Sequence, residues 1–188
     1  MIWPKGTREG QKLHSFRHVA CIEDAILRCK KYRTVVQAGG NVGLWPIRLS
    51  SKFQRVITFE PEPATRKCLK VNVKPFNNIE VRGEALGSAA GLCGIVRQSL
   101  GSHYVKPGDD ITVITIDSLQ LTDVDLIQLD IEGKEYEALQ GSLETIQSTF
   151  PVIQVEMNNM FEITNLLSSI GYKLASKQQH RDAVFDHD

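Results

Sequence analysis

From Thr34 onward, short β-branched runs alternate with segments of helical spacing, and this alternation points to an α/β fold. Residues 34–38 read as a strand that stops at Gly39-Gly40. Asn41 is placed to cap a helix reaching about Ser51, with Pro46 in its early turns. Residues 55–60 form a second strand, ended by Pro61, and Pro63 suits the first turn of a helix reaching about Val73. A third strand is expected over 78–84. A fourth covers 125–130, with a helix over 134–146 behind it. A fifth covers 151–156, with a helix over 160–170 that stops at Gly171. Residues 172–175 and 183–185 read as two closing strands, able to form an antiparallel edge. One stretch breaks the rhythm: residues 91–98 and 110–116 look like a β-hairpin inserted around a Gly-, Ser- and Pro-rich loop, 99–109. The expected architecture is a doubly wound, Rossmann-like sheet, mostly parallel, with helices on both faces.

The chain has 188 residues, which suits one domain with a sizeable core. Residues 1–15 read as a mobile, basic arm and 16–188 as the domain. Val19, Ile22, Ile26 and Cys29 recur at helical spacing over 16–31, ahead of the first strand. Twenty-two basic residues balance 22 acidic ones, which removes the electrostatic argument for a nucleic-acid binder. No apolar run approaches the ~20 residues of a membrane-spanning helix, and the first residues lack the apolar core of a signal peptide. Cytoplasm is the expected compartment. The four cysteines are scattered, without a C-x-x-C pair, and read as thiols in a reducing environment.

The segment Val35-Val36-Gln37-Ala38-Gly39-Gly40-Asn41-Val42-Gly43 is a strand, a glycine turn and the start of a helix. Glycines there let backbone approach a ligand closely, and a helix start offers free N–H groups. The dinucleotide fingerprint G-x-G-x-x-G fails, because its third and sixth positions are Asn41 and Leu44. The Gly-Lys-Ser/Thr of a P-loop is also absent. The remaining G-G-x-x-G suits a nucleoside ligand without a pyrophosphate, such as S-adenosylmethionine. Glu60 ends the second strand at about the distance where an acid accepts hydrogen bonds from ribose hydroxyls.

At this point the chain resembles the FkbM-type family of class I S-adenosylmethionine-dependent methyltransferases. The resemblance is carried by A-G-G-N-V-G (38–43), F-E-P-E-P (59–63), Leu69 and Asn72, G-E-A-L-G (83–87), T-I-D-S-L (115–119), D-L-I-Q-L-D-I-E-G (125–133) with Glu135, Leu139 and Gly141, and Glu156. It implies a seven-stranded sheet with an antiparallel last strand. It also implies O-methylation of a hydroxyl on a sugar or other small molecule. The cofactor-binding set it suggests is Gln37, Gly39, Gly40, Asn41, Gly43, Glu60, Pro61, Glu84, Ala85 and Asp130. Two positions depart from the family pattern. Gln37 stands where members commonly carry an acid that approaches the methionine end of the cofactor. Lys134 stands where a small residue is usual, and could pair with an acidic acceptor or face solvent.

A hydroxyl acceptor must lose its proton, and acids at the carboxyl ends of parallel strands flank the crevice where ligands bind. Asp130, Glu132 and Glu156 occupy such positions. If residues 130–132 stay extended, Asp130 and Glu132 point the same way. His103, in the inserted loop, is a further candidate base. Glu84 could accept from an adenine amine, and Asp117 reads as structural. No metal is required, although Asp130, Glu156 and Asn158 could offer oxygen ligands. A second subunit could complete the acceptor side, so a homo-oligomer is compatible with the reading. Two alternatives stand beside the enzyme: a non-catalytic module with a weakened pocket, and a nucleotide-cofactor dehydrogenase.

Overall fold

The computed structural model describes residues 1–9, 11–12, 21–99, 102–156, 158–177 and 182–187, with the backbone alone at 96–99 and 102–106. Its elements are α1 (Ile22–Arg28), β1 (Thr34–Ala38), α2 (Leu44–Ser50), β2 (Arg55–Phe59), α3 (Pro63–Val73), β3 (Ile79–Arg82), β4 (Ala85–Leu86), β5 (Gly91–Ser99), β6 (Ser102–Ile114), β7 (Val124–Leu129), α4 (Glu135–Gln140), α5 (Leu143–Thr149), β8 (Val152–Glu156), α6 (Met160–Ser169), β9 (Tyr172–Lys177) and β10 (Asp182–His187).

Seven strands form the main sheet in the order β3-β2-β1-β7-β8-β10-β9. The first five run parallel, and β10 is antiparallel to both of its neighbours. All five residues of β1 are buried, as a central strand covered on both faces requires. Alternation along the strands divides the core. Val35, Val56, Leu126, Val152 and Val184 pack against Ile22, Ala25 and Ile26 of α1 and Trp45 and Leu49 of α2. Val36, Ile57, Ile127, Ile153 and Phe185 face the other way, toward Leu139, Ile146, Ile163 and Leu167 of α4, α5 and α6.

Two expectations are corrected and one is met with a detail added. First, the two closing strands pair antiparallel at one end of the sheet, as expected. The last strand, β10, lies inside, between β8 and β9, because Ala183, Val184 and Phe185 are wholly buried and need cover on both sides. Edge strand β9 instead exposes Lys173, Leu174 and Lys177, and lysines on an edge discourage further pairing. Second, the helix expected over 134–146 is two helices, broken at Gly141-Ser142. A Cβ at Gly141 would stand 2.1 Å from the Gly87 carbonyl oxygen, so the backbones meet there. Asp117 then caps α5 from a distance, accepting from Glu144 N, Thr145 N and Thr145 Oγ1 at 3.2, 2.8 and 2.8 Å. Third, the inserted hairpin is longer than its turn-rich composition suggests. β5 and β6 pair out to Ser99↔Ser102, and with β4 they make a separate three-stranded sheet. Pro107 and Gly108 are taken up where the ladder shifts register opposite Cys93/Gly94.

The side chain of Asn72 on α3 bonds Ile2 N at 2.6 Å, Ile2 O at 2.8 Å and Val42 O at 2.8 Å, bringing the second residue beside the glycine turn. The expected helix over 16–31 is seen as α1, and residues 13–20 lie outside the described set. Among the described residues no helix is long and apolar enough to cross a membrane.

Candidate active site

The carboxyl ends of β1, β2 and β7 meet around the glycine turn. Gly39 N and Gly40 N both donate to Phe59 O, at 3.1 and 2.9 Å, pinning the turn to the end of β2. Gly39 has φ +85°, and a Cβ on it would lie 1.9 Å from the Asp130 carbonyl oxygen. Only glycine meets both demands. Asn41 is in the turn, at φ +43°, and α2 begins at Leu44 after Gly43.

Glu60 follows β2 and is only 6% exposed. Its Oε2 accepts from Asn41 N at 2.8 Å and its Oε1 from Glu62 N at 2.9 Å. Burial raises its pKa to about 7 despite those two donors. Arg66 of α3 donates from Nη1 to Glu60 O and Pro61 O, both at 2.8 Å, and to Gly83 O at 3.4 Å, tying the ends of β2 and β3 together.

Gln37 does not present its side chain to the crevice. It is wholly buried, with Nε2 donating to Ala38 O at 3.0 Å and Oε1 accepting from the Thr58 hydroxyl. It braces the strand beneath the turn. In register beside it stand Gln128 of β7 and Gln154 of β8, both fully buried. Their amides have no hydrogen-bond partner among the described residues. Sequence reasoning missed this row, although its signal is plain: V-V-Q-A, L-I-Q-L and V-I-Q-V place a glutamine at the same step of three central strands.

Asp130, Glu132 and Glu156 lie at or just past the carboxyl ends of β7 and β8. Half-buried Asp130 donates its N–H to Ala38 O at 3.1 Å, which closes the β1–β7 seam. The extended backbone stops at Leu129, however. Glu132 is exposed at φ +56° and Gly133 follows at φ +92°, so strand alternation does not relate Asp130 to Glu132. Glu156, at the end of β8, accepts from Asn158 Nδ2 at 2.8 Å. Glu84 accepts from Arg82 Nη2 at 2.7 Å and Gly83 N at 2.9 Å. Burial pushes its carboxyl up, but these bonds and the Arg82 charge outweigh that and leave it below the ordinary range. Ala85 is buried at the start of β4. A pocket of about 200 Å³ opens beside it, walled by Ala85, Leu86, Gly87 and Val113, with Lys134 and Glu137 alongside. Lys134 is ion-paired to Glu137. His103 is placed by the backbone in β6, opposite Arg97, rather than in a loop, and its side chain lies outside the described residues. Among the described residues no three His, Cys, Asp or Glu gather as a metal site would require.

Glu135 was noticed in the sequence only as part of a motif. It is 0% exposed, and its Oε1 accepts from Ile131 N at 2.9 Å and Gly133 N at 3.3 Å. Burial pushes its carboxyl up, and the nearby Glu156 charge adds to that.

Comparison with known proteins finds relatives of the same fold. The chain is 27% identical to the hexuronic acid methyltransferase AglP of Haloferax volcanii over 160 residues, covering 78% of this chain and 66% of AglP. The crystal structure of methyltransferase FkbM from Methylobacillus flagellatus superposes with a TM-score of 0.61 at 22% identity, over 83% of this chain and 44% of that one. A Streptococcus mutans protein solved in complex with SAH superposes with a TM-score of 0.57 at 9% identity, over 99% of each chain. The chain thus spans about two thirds of AglP and less than half of the Methylobacillus protein. The model of the methyltransferase FkbM domain matches residues 37–174, from the strand before the glycine turn to edge strand β9, and the chain therefore belongs to the FkbM methyltransferase family.

Proposed function

We propose that this chain transfers a methyl group from S-adenosylmethionine to an oxygen of a small acceptor, most simply a sugar hydroxyl. The observation that carries the reading is the Glu60 carboxylate, buried where β2 meets the glycine turn. A carboxylate has about four acceptor positions, and backbone N–H groups take two here. The remaining two suit the vicinal hydroxyls of a ribose. The apolar pocket beside Ala85 suits an adenine ring, and the glycine turn gives the rest of the nucleoside close approach to backbone. The residues present therefore fit the cofactor, which when bound supplies a methyl group on a sulfonium, with a neutral thioether as leaving group.

The protein's own part is positioning and proton removal. Gln37 offers no charge to the ammonium end of the cofactor, since its amide is used inside the sheet. Asp130, whose backbone adjoins Gly39 just past β7, takes that role. Glu132, exposed in the turn that follows β7, takes the hydroxyl proton. A carbohydrate acceptor is supported by the likeness to AglP, whose name specifies hexuronic acid.

The test is incubation with S-adenosylmethionine and a panel of neutral sugars and hexuronic acids, read by mass spectrometry. One added methyl that survives alkali is an ether and supports hydroxyl transfer. An alkali-labile methyl is an ester and moves the acceptor to the carboxylate. No methylated sugar, with S-adenosylmethionine bound, overturns the carbohydrate assignment.

A further inference from the structure

The turn that carries Glu132 is held from both sides. Its flanking N–H groups, Ile131 and Gly133, converge on one oxygen of Glu135, at 2.9 and 3.3 Å, and the Gly133 carbonyl accepts from Asn159 Nδ2 at 3.2 Å. Glu132 sits between the two bonded N–H groups in a left-handed conformation that a non-glycine residue adopts only when its surroundings impose it. Both bonds fall on Oε1, and the buried Oε2 has no partner among the described residues. A group that leaves one carboxylate oxygen buried and unpaired is not being used as a charge, because desolvation penalises an unpaired charge. Burial and the neighbouring Glu156 both favour its neutral form.

We infer that Glu135 is a positioning residue for methyl transfer: as a hydrogen-bond acceptor, not as a charge, it fixes the 131–133 turn that presents Glu132 to the acceptor. This rests on the reaction proposed above for the role of Glu132, and on geometry alone for the turn. Glutamine keeps an acceptor oxygen at the same reach. Aspartate is one methylene short, and alanine removes the acceptor.

The experiment compares wild type with Glu135→Gln, Glu135→Asp and Glu135→Ala. Amide hydrogen exchange is read at Ile131 and Gly133, and kcat and KM are measured on the sugar that wild type methylates. Glu135→Gln is expected to keep the exchange of both amides and kcat within about threefold of wild type. Glu135→Asp is expected to speed exchange at both positions and lower kcat at least tenfold, with KM for S-adenosylmethionine within about twofold. Glu135→Ala should do the same, and Glu135→Asp stands in if Glu135→Ala does not fold. Undisturbed exchange in the Asp and Ala variants overturns the inference, as does failure of Glu135→Gln to rescue, or wild-type kcat with the turn released. A wild type that methylates no sugar refutes the proposed reaction and this role with it, while exchange at the two amides still reports what Glu135 holds.

Discussion

Replacing Gly39 with alanine tests the closest backbone contact of the site, and Gly133→Ala is its control. Both glycines have positive φ, +85° and +92°. The left-handed region costs a side-chain-bearing residue about 1–2 kcal/mol, and alanine recovers roughly 0.4–1 kcal/mol by stiffening the unfolded chain. At Gly133 nothing lies within 4 Å of the added Cβ, so the net loss there is about 1 kcal/mol. At Gly39 the Cβ would stand 1.9 Å from the Asp130 carbonyl oxygen and 3.0 Å from its carbon. Both partners are backbone, so β1 and β7 must separate by more than an ångström, and overpacking of this kind adds about 1–3 kcal/mol. Gly39→Ala is therefore expected to lose about 2–4 kcal/mol, a large part of a typical stability of about 5–15 kcal/mol. Urea unfolding followed by circular dichroism, with unchanged m-values, measures both variants. If Gly39→Ala costs no more than Gly133→Ala, the contact between the glycine turn and the end of β7 is not as described.

Three further outcomes follow from particular groups. Glu60 has its folded pKa raised to about 7, so the folded protein holds a proton that the unfolded chain releases near 4.5. Stability should fall as pH rises from about 4.5 to about 7, by roughly 3 kcal/mol. Glu60→Gln should flatten that slope in pH-dependent denaturation, and an unchanged slope would remove Glu60 as its source. Asp117→Ala removes three bonds to the start of α5 and should cost about 1–2 kcal/mol in urea unfolding, while a loss under about 0.3 kcal/mol would show that α5 does not depend on it. Gln128→Met replaces a buried amide that has no partner among the described residues by an apolar chain of similar length and should stabilise by about 1 kcal/mol; destabilisation would show that the amide is in use.

Periodicity made the parallel core legible, because β1, β2, β7 and β8 are apolar runs closed by glycine, proline or an acid. It could not place β10, since inserting a last strand between β8 and β9 depends on pairing partners distant in sequence. The break at Gly141 was hidden for a similar reason. A single glycine in a helical pattern shows no sign that Gly87 and Asp117, far along the chain, will meet it. Of the site, the glycine turn and Glu60 were readable from spacing, because the strand–turn–helix unit sets them locally. Glu135 was not, because its burial and its two N–H donors arise only once the 131–133 turn reverses the chain onto α4. The turn at Glu132 is not legible either, because nothing in D-I-E-G shows that the backbone leaves the extended region where φ turns positive.

In the proposed reaction the Glu60 carboxylate and the glycine turn hold S-adenosylmethionine by its ribose. Isothermal titration with S-adenosylhomocysteine tests it most directly, in parallel with NAD and with the Glu60→Gln variant. Wild type is expected to show one site and no binding of NAD, with affinity reduced at least tenfold in Glu60→Gln, as loss of charge-assisted hydrogen bonds worth about 1.5–3 kcal/mol requires. Wild type that does not bind S-adenosylhomocysteine, or a Glu60→Gln variant that binds it as tightly as wild type, would contradict a ribose-binding role for Glu60.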